Sequence, residues 1–135
     1  MCPATPESIN AIPMLQSLGI RLCESGPDFA VMEVVVDERH ANYFGGVHGG
    51  LLATLADTVC FFPEPLLPAG RLVTTSNLNL SYLKAPLLGS RLTARSKIEH
   101  LGRRTVSLSI KIMADDVCVV HGTATLIVLK EPESL

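Results

Sequence analysis

Asp57 is the one residue that would carry a charge at neutral pH in an otherwise largely apolar run, LLATLADTVCFF, over residues 51 to 62. A carboxylate buried there without purpose would cost free energy, and acids in such surroundings are candidates for chemistry. It can act on a carbonyl in two ways: by direct attack, giving a mixed anhydride that water then opens, or as a base on the attacking water. The residue types leave both routes open. Just ahead stand His48, Gly49 and Gly50. A helix starting at these glycines leaves its first N–H groups unpaired and concentrates partial positive charge there. Gly49 has no Cβ to block an approaching carbonyl, so its N–H suits an oxyanion; removing such a donor costs about 3 kcal/mol in comparable sites.

Spacing bears on assembly. Gly49 and Asp57 are eight helical residues apart, which at ~1.5 Å of rise each is about 12 Å. One reacting carbon cannot touch both. If two copies of the helix run antiparallel across a twofold axis, the Gly49 end of one lies near Asp57 of the other, and the expected site spans a dimer interface.

The elements that must hold these residues follow from periodicity. Residues 6 to 18 carry Ile9, Ile12, Leu15 and Leu18 at helical intervals and read as one short helix ending near Gly19, with Pro13 able to interrupt or shorten it. Residues 20 to 24 and 28 to 36 read as a hairpin about the turn Ser25-Gly26-Pro27-Asp28. The glycine-rich residues 37 to 50 form an ordered loop, and the apolar run after them a helix apolar on nearly all sides, hence buried, closed by Pro63. Four strands follow over residues 71 to 84, 91 to 100, 104 to 114 and 117 to 129. Alternation is clear in Leu92, Ala94, Ser96, Ile98 and in Val106, Leu108, Ile110, Ile112, and short turns make the consecutive strands a meander with one solvated face. A long apolar helix before such strands gives an α+β architecture, a curved antiparallel sheet wrapped around a central helix, in one domain over residues 1 to 135.

Composition narrows the classes of function. Hydrophobic residues are 47% and charged ones 18%, apolar enough for so short a chain to suggest surface buried between subunits. A net charge of -2 with scattered basic residues gives no footprint for nucleic acid. Cys2, Cys23, Cys60 and Cys118 lie far apart with no C-x-x-C, which fits reduced thiols in a cytoplasmic protein. His40, His100 and His121 show no metal-ligand spacing, so no metal is assigned. No apolar segment approaches the ~20 residues that span a bilayer, so neither export nor membrane anchoring is expected.

The segment NYFGGVHGGLLATLAD, residues 42 to 57, resembles the active-site segment of the phenylacetate-degradation (PaaI-like) branch of hot-dog thioesterases. The matching residues are Asn42, His48-Gly49-Gly50 and Asp57, with His six residues after Asn and the acid nine after His. The likeness continues through LVTTSNLNLSY and LGRR, in element order over roughly residues 20 to 129. It implies the hot-dog fold and hydrolysis of an acyl-coenzyme A to free acid and coenzyme A, with no cofactor because coenzyme A is part of the substrate; an aryl- or medium-chain acyl group is what the aromatic residues Tyr43, Phe44, Phe61 and Phe62 would suit. It implies Asp57 as the catalytic carboxylate, Asn42 and His48 beside Gly49 at the carbonyl, and Thr75 helping Asp57 hold water. Arg103 and Arg104, the one adjacent pair of basic residues, resemble a basic turn that meets the nucleotide; Lys84 and Lys97 are further candidates. Relatives are commonly dimers of dimers. Gly50 completes the glycine pair at the carbonyl, and Tyr43, Phe44, Phe61 and Phe62 would line an apolar tunnel for the acyl group or pack in the core. The segment FPEPLLP, residues 62 to 68, departs from the small-residue helix end of relatives.

Plainer readings stand beside these. His48 and Asn42 can simply shape the loop, Thr75 is an ordinary strand residue, Arg103 and Arg104 are ordinary turn residues, and Gly45 and Gly46 read as turn glycines with positive φ. A hot-dog hydratase would usually carry a catalytic His in a motif such as Gly-His-Phe-Pro, where this chain has Gly46-Val47-His48-Gly49. A non-catalytic acyl-coenzyme A sensor would be expected to lack the carboxylate and to be joined to an effector region.

Overall fold

The computed structural model describes residues 6 to 67 and 72 to 130. The N-terminal segment forms two short helices, α1 (Pro6–Asn10) and α2 (Pro13–Leu18), rather than one. Pro13 is the cause: it lacks an N–H, so it opens a new helix while Ile12 stays extended at ψ 124°. Of the four residues at helical spacing, Ile9 and Leu15 are buried and Leu18 half-buried, while Ile12, at the break, is 38% exposed.

The predicted hairpin is β1 (Arg21–Ser25) and β2 (Phe29–Val35), and the later strands are β3 (Leu72–Tyr82), β4 (Arg91–Leu101), β5 (Thr105–Ala114) and β6 (Val117–Lys130). Residues 68 to 71, including Pro68 and Arg71, and the tail after Lys130 lie outside the described residues, as does Cys2. The strands make one antiparallel sheet in the order β1-β2-β4-β5-β6-β3. The meander holds for β4 to β6, but β3 does not pair with β4, its successor in sequence. It crosses the sheet to pair with β6 and forms the far edge. Gly122 permits that pairing: a Cβ there would sit 2.1 Å from the Asn79 carbonyl oxygen.

α3 (Gly49–Val59) lies on one face of the sheet, against β2, β3, β4 and β5. Leu51, Leu52, Leu55, Ala56 and Val59 are buried against the inward strand positions Leu92, Ala94, Val106, Leu108, Ile110 and Ile112. Expected to be buried on nearly all sides, α3 has a stripe of Ala53, Thr54, Asp57 and Thr58 that is only half-buried. It also ends at Val59, before Pro63, and a 3-10 turn, Glu64–Leu66, follows. Among the described residues no helix is long and apolar enough to cross a membrane.

Ser96 is fully buried and its hydroxyl donates to the Val59 carbonyl oxygen at 2.7 Å, satisfying an orphan acceptor at the C-terminal end of α3. Ser96→Ala strands that carbonyl in the core. Urea denaturation should show a loss of about 1–3 kcal/mol; an unchanged midpoint would mean that the bond contributes nothing net.

Candidate active site

The loop before α3 is pinned by His40, which is buried. Its Nδ1 accepts the Asp37 N–H at 3.0 Å, and its Nε2 lies 2.7 Å from the Leu18 carbonyl oxygen, which places the proton on Nε2. Its own carbonyl accepts the His48 N–H at 2.7 Å. One buried imidazole thereby ties the end of α2 to the start of α3.

Asn42 shapes the loop. Its Oδ1 accepts N–H groups of Phe44 at 3.1 Å and Gly46 at 2.8 Å, and its own N–H donates to the Gly46 carbonyl at 2.7 Å. Only the NH2 of its side chain is left for a ligand. Gly45, at φ 87°, occupies the left-handed region that the turn requires, whereas Gly46 does not.

His48 is the N-cap of α3: its Nδ1 accepts the Gly50 N–H at 2.8 Å, and its carbonyl accepts the Leu51 N–H at 3.0 Å. The sequence pointed to two open N–H groups at the glycine pair; the cap takes Gly50 out as a donor and leaves Gly49 N–H without a partner among the described residues. Because Nδ1 is the acceptor, the ring proton sits on Nε2 of the exposed imidazole, a second donor at the same end. His48 therefore shapes the site and still offers an N–H to a ligand. A cleft of about 300 Å³ opens here, lined by His48, Gly50, Leu51 and Thr54 opposite Leu18 and His40.

At the other end of the helix the Thr75 hydroxyl donates to Asp57 Oδ1 at 2.6 Å. Asp57 is half-buried, on the stripe of α3 that the chain's own sheet does not cover. Cys60 is no rival nucleophile: burial, with a smaller contribution from the Asp57 charge, pushes its thiol up to about 12, so it stays protonated.

Sequence reasoning missed Tyr82, at the end of β3, whose hydroxyl donates to the Gly49 carbonyl oxygen at 2.8 Å. A Cβ at Gly49 would meet its ring at 3.1 Å, so the two are in close contact. Thr75 and Tyr82 are seven residues apart, which in a regular strand puts them on opposite faces. A bulge between Thr75 and Asn77 shifts the parity, and both reach α3. β3 thus grips the helix at both ends. Tyr82→Phe removes one neutral hydrogen bond of about 1 kcal/mol from the turn that presents Gly49 N–H. A roughly fivefold fall in kcat, measured where the variant is fully folded, is the expected result; a native kcat with only a lowered unfolding midpoint would make Tyr82 merely structural.

The other sequence candidates are not gathered here within one chain. Arg103 and Arg104 are exposed in the β4–β5 turn. Thr75, Leu126 and Val106 stand in register across β3, β6 and β5, so this turn lies towards the Asp57 end, about 10 Å away across two strand spacings. Tyr43 is 97% exposed, its ring edge-on to Phe44 at 4.8 Å. Phe61 is half-buried and packs on the core.

A central helix on one antiparallel sheet, with a bonded carboxylate at one end and an open amide at the other, defines a hot-dog thioester hydrolase, and comparison with known proteins agrees. The thioesterase superfamily matches residues 44–121. The acyl-coenzyme A thioesterase PaaI of Escherichia coli is 30% identical over 98 residues, 73% of this chain and 69% of that protein. A mutant thioesterase from Pseudomonas aeruginosa superposes with TM-score 0.84 at 25% identity, covering 95% of this chain and 96% of its own. A hypothetical thioesterase from Streptococcus pneumoniae, solved with coenzyme A, gives TM-score 0.75 at 27% identity, covering 83% and 87%. The chain belongs to the thioesterase superfamily, among its PaaI-like members.

Proposed function

We propose that the protein hydrolyses the thioester of an aryl- or medium-chain acyl-coenzyme A at sites shared between two copies of the chain. The observation that carries this is the division of labour along α3: Gly49 N–H open at one end, and Asp57 held by Thr75 at 2.6 Å at the other. The coenzyme A in the Streptococcus pneumoniae structure and the name of the Escherichia coli relative support the substrate class. Two features support the shared site. The half-buried stripe of α3 that includes Asp57 awaits a cover, and β3 is an eleven-residue edge strand with no fully buried residue. A second β3, antiparallel across a twofold axis, would satisfy that edge and bring the two helices together. A dimer is the minimum, and a dimer of dimers would preserve it. The three described cysteines are free, which suits a cytoplasmic protein.

The chemistry follows from the placement. The thioester oxygen accepts from Gly49 N–H of one copy, with His48 Nε2–H and the Asn42 amide near enough in the same loop to orient it. From the other copy, Asp57 takes a proton from a water that Thr75 helps to hold, and the water oxygen bonds to the carbonyl carbon. The oxyanion formed is stabilised at the helix N-terminus. On its collapse the C–S bond breaks, the thiolate leaves with the electron pair, and the proton on Asp57 returns to sulfur. In the alternative route Asp57 Oδ bonds to the carbonyl carbon, the C–S bond breaks and the thiolate leaves with the electron pair; water then adds to the mixed anhydride, releasing the acid and the Asp57 carboxylate, and its proton goes to the thiolate.

The test is thiol release from phenylacetyl-, hydroxybenzoyl- and straight-chain acyl-coenzyme A, with the protein's own thiols subtracted. Turnover on one class supports the reading and sets its specificity. Tight binding without turnover across the whole panel would replace it with acyl-coenzyme A sensing.

A further inference from the structure

The face of the sheet turned away from α3 carries an arrangement that the hydrolysis does not use. Ser96 points to α3, so its neighbours Arg95 and Lys97 point the other way. Arg95 pairs in register with Lys111, and Lys111 with His121, so the three stand side by side on β4, β5 and β6. Lys97 lies in the adjacent row, opposite Ser109. With Gly122 these residues line a cleft of about 400 Å³.

Like charges directly opposite on neighbouring strands, with Cβ atoms about 5 Å apart, destabilise a sheet. The ion pairs among the described residues join Asp37 to Arg39 and Glu33 to Arg91; none reaches Arg95, Lys97 or Lys111. Glu99 is the acid nearest this row on β4, and it accepts from the Ser109 hydroxyl at 3.0 Å. The Arg95 guanidinium stacks 4.2 Å above the Phe29 ring, which fixes its plane. In a chain of net charge -2 this local excess is not a by-product of general basicity.

We propose that the cluster formed by Arg95, Lys111 and His121 in one row and Lys97 in the next binds a diphosphate or bis-phosphorylated small molecule. A planar, stacked guanidinium beside two ammonium groups and an imidazole matches several phosphate oxygens at once, and the cleft has the volume of a small-ligand site. The whole sheet lies between this cleft and the bond from Thr75 to Asp57, so its occupant does not react there. The phosphates are either those of the coenzyme A substrate or those of a separate effector.

Calorimetric titration of the native protein with pyrophosphate tests the site without reference to turnover, so its failure is distinct from a failure of the hydrolase reading. Binding should weaken with added salt and fall about tenfold or more in the double variant Arg95→Gln/Lys111→Gln. Both side chains are exposed, and with a like-charge pair removed the variant's unfolding midpoint should be no lower than the native one. If the variant also raises KM for acyl-coenzyme A, but not for the corresponding acyl-pantetheine without phosphates, the ligand is the substrate's own nucleotide end. If pyrophosphate binding is lost while both KM values hold, the ligand is a separate effector. No pyrophosphate binding by the native protein, or equal binding by the variant, overturns the site.

Discussion

Asp57→Asn should lower kcat on the best acyl-coenzyme A by about two orders of magnitude or more while changing KM little, because it removes a base or nucleophile and spares contacts that hold substrate. The substitution is nearly isosteric, and an amide oxygen can still accept from the Thr75 hydroxyl, now 2.6 Å from Oδ1. The fold should therefore persist, and an unchanged thermal midpoint would show that the lost rate belongs to chemistry. Thr75→Val, which keeps the carboxylate but removes the bond to it, should cost less, about tenfold. A native-like rate in Asp57→Asn would move the carboxylate out of the reaction and return it to a structural part.

Mixing two inactive variants should restore activity. In Gly49→Val the added side chain would crowd the Tyr82 ring, which a Cβ alone already meets at 3.1 Å, and would obstruct the approach to the amide. That variant keeps Asp57, while Asp57→Asn keeps Gly49. If each site takes its amide from one copy and its acid from the other, a mixed dimer has one intact site and one doubly damaged site. Random exchange in an equal mixture makes half the dimers mixed with half their sites intact, so about a quarter of native activity should return. The measurement is the rate of the refolded mixture against each parent refolded alone. A mixture no better than its parents would place the whole reaction within a single chain, against the 12 Å that ~1.5 Å per helical residue puts between the two groups.

Much of this was legible in the residues. The periodicity of β4 and β5, the turn at residues 25 to 28 and the apolar run ahead of Pro63 give the right elements, because each is set by local patterning. The pairing of Asp57 with Thr75 came from resemblance alone, since the two are 18 residues apart and meet only when β3 crosses to the far edge. Topology of that kind is decided by which edge remains open, not by any local signal. That His48 can shape the loop is open from the sequence, but that it caps α3 and leaves one open amide instead of two depends on the ring's orientation. Tyr82 was hidden because a strand's alternation assigns it to the wrong face. The cations beyond β4 were hidden differently: Arg95, Lys111 and His121 are scattered in sequence and become a row only through register. Arg103 and Arg104, conspicuous as a pair, occupy an exposed turn.

The irregularity in β3 works as a ruler. Between the Thr75 hydroxyl and the Tyr82 hydroxyl the strand must count an extra residue to touch both ends of one helix, so the number of residues in that interval fixes where the acid and the amide are presented. The connection over residues 83 to 90 makes neither of these two bonds. Removing one residue from the counted interval would keep a strand of similar composition and yet turn one of its two gripping side chains to the opposite face, unmaking the site with its acid and glycine still in place.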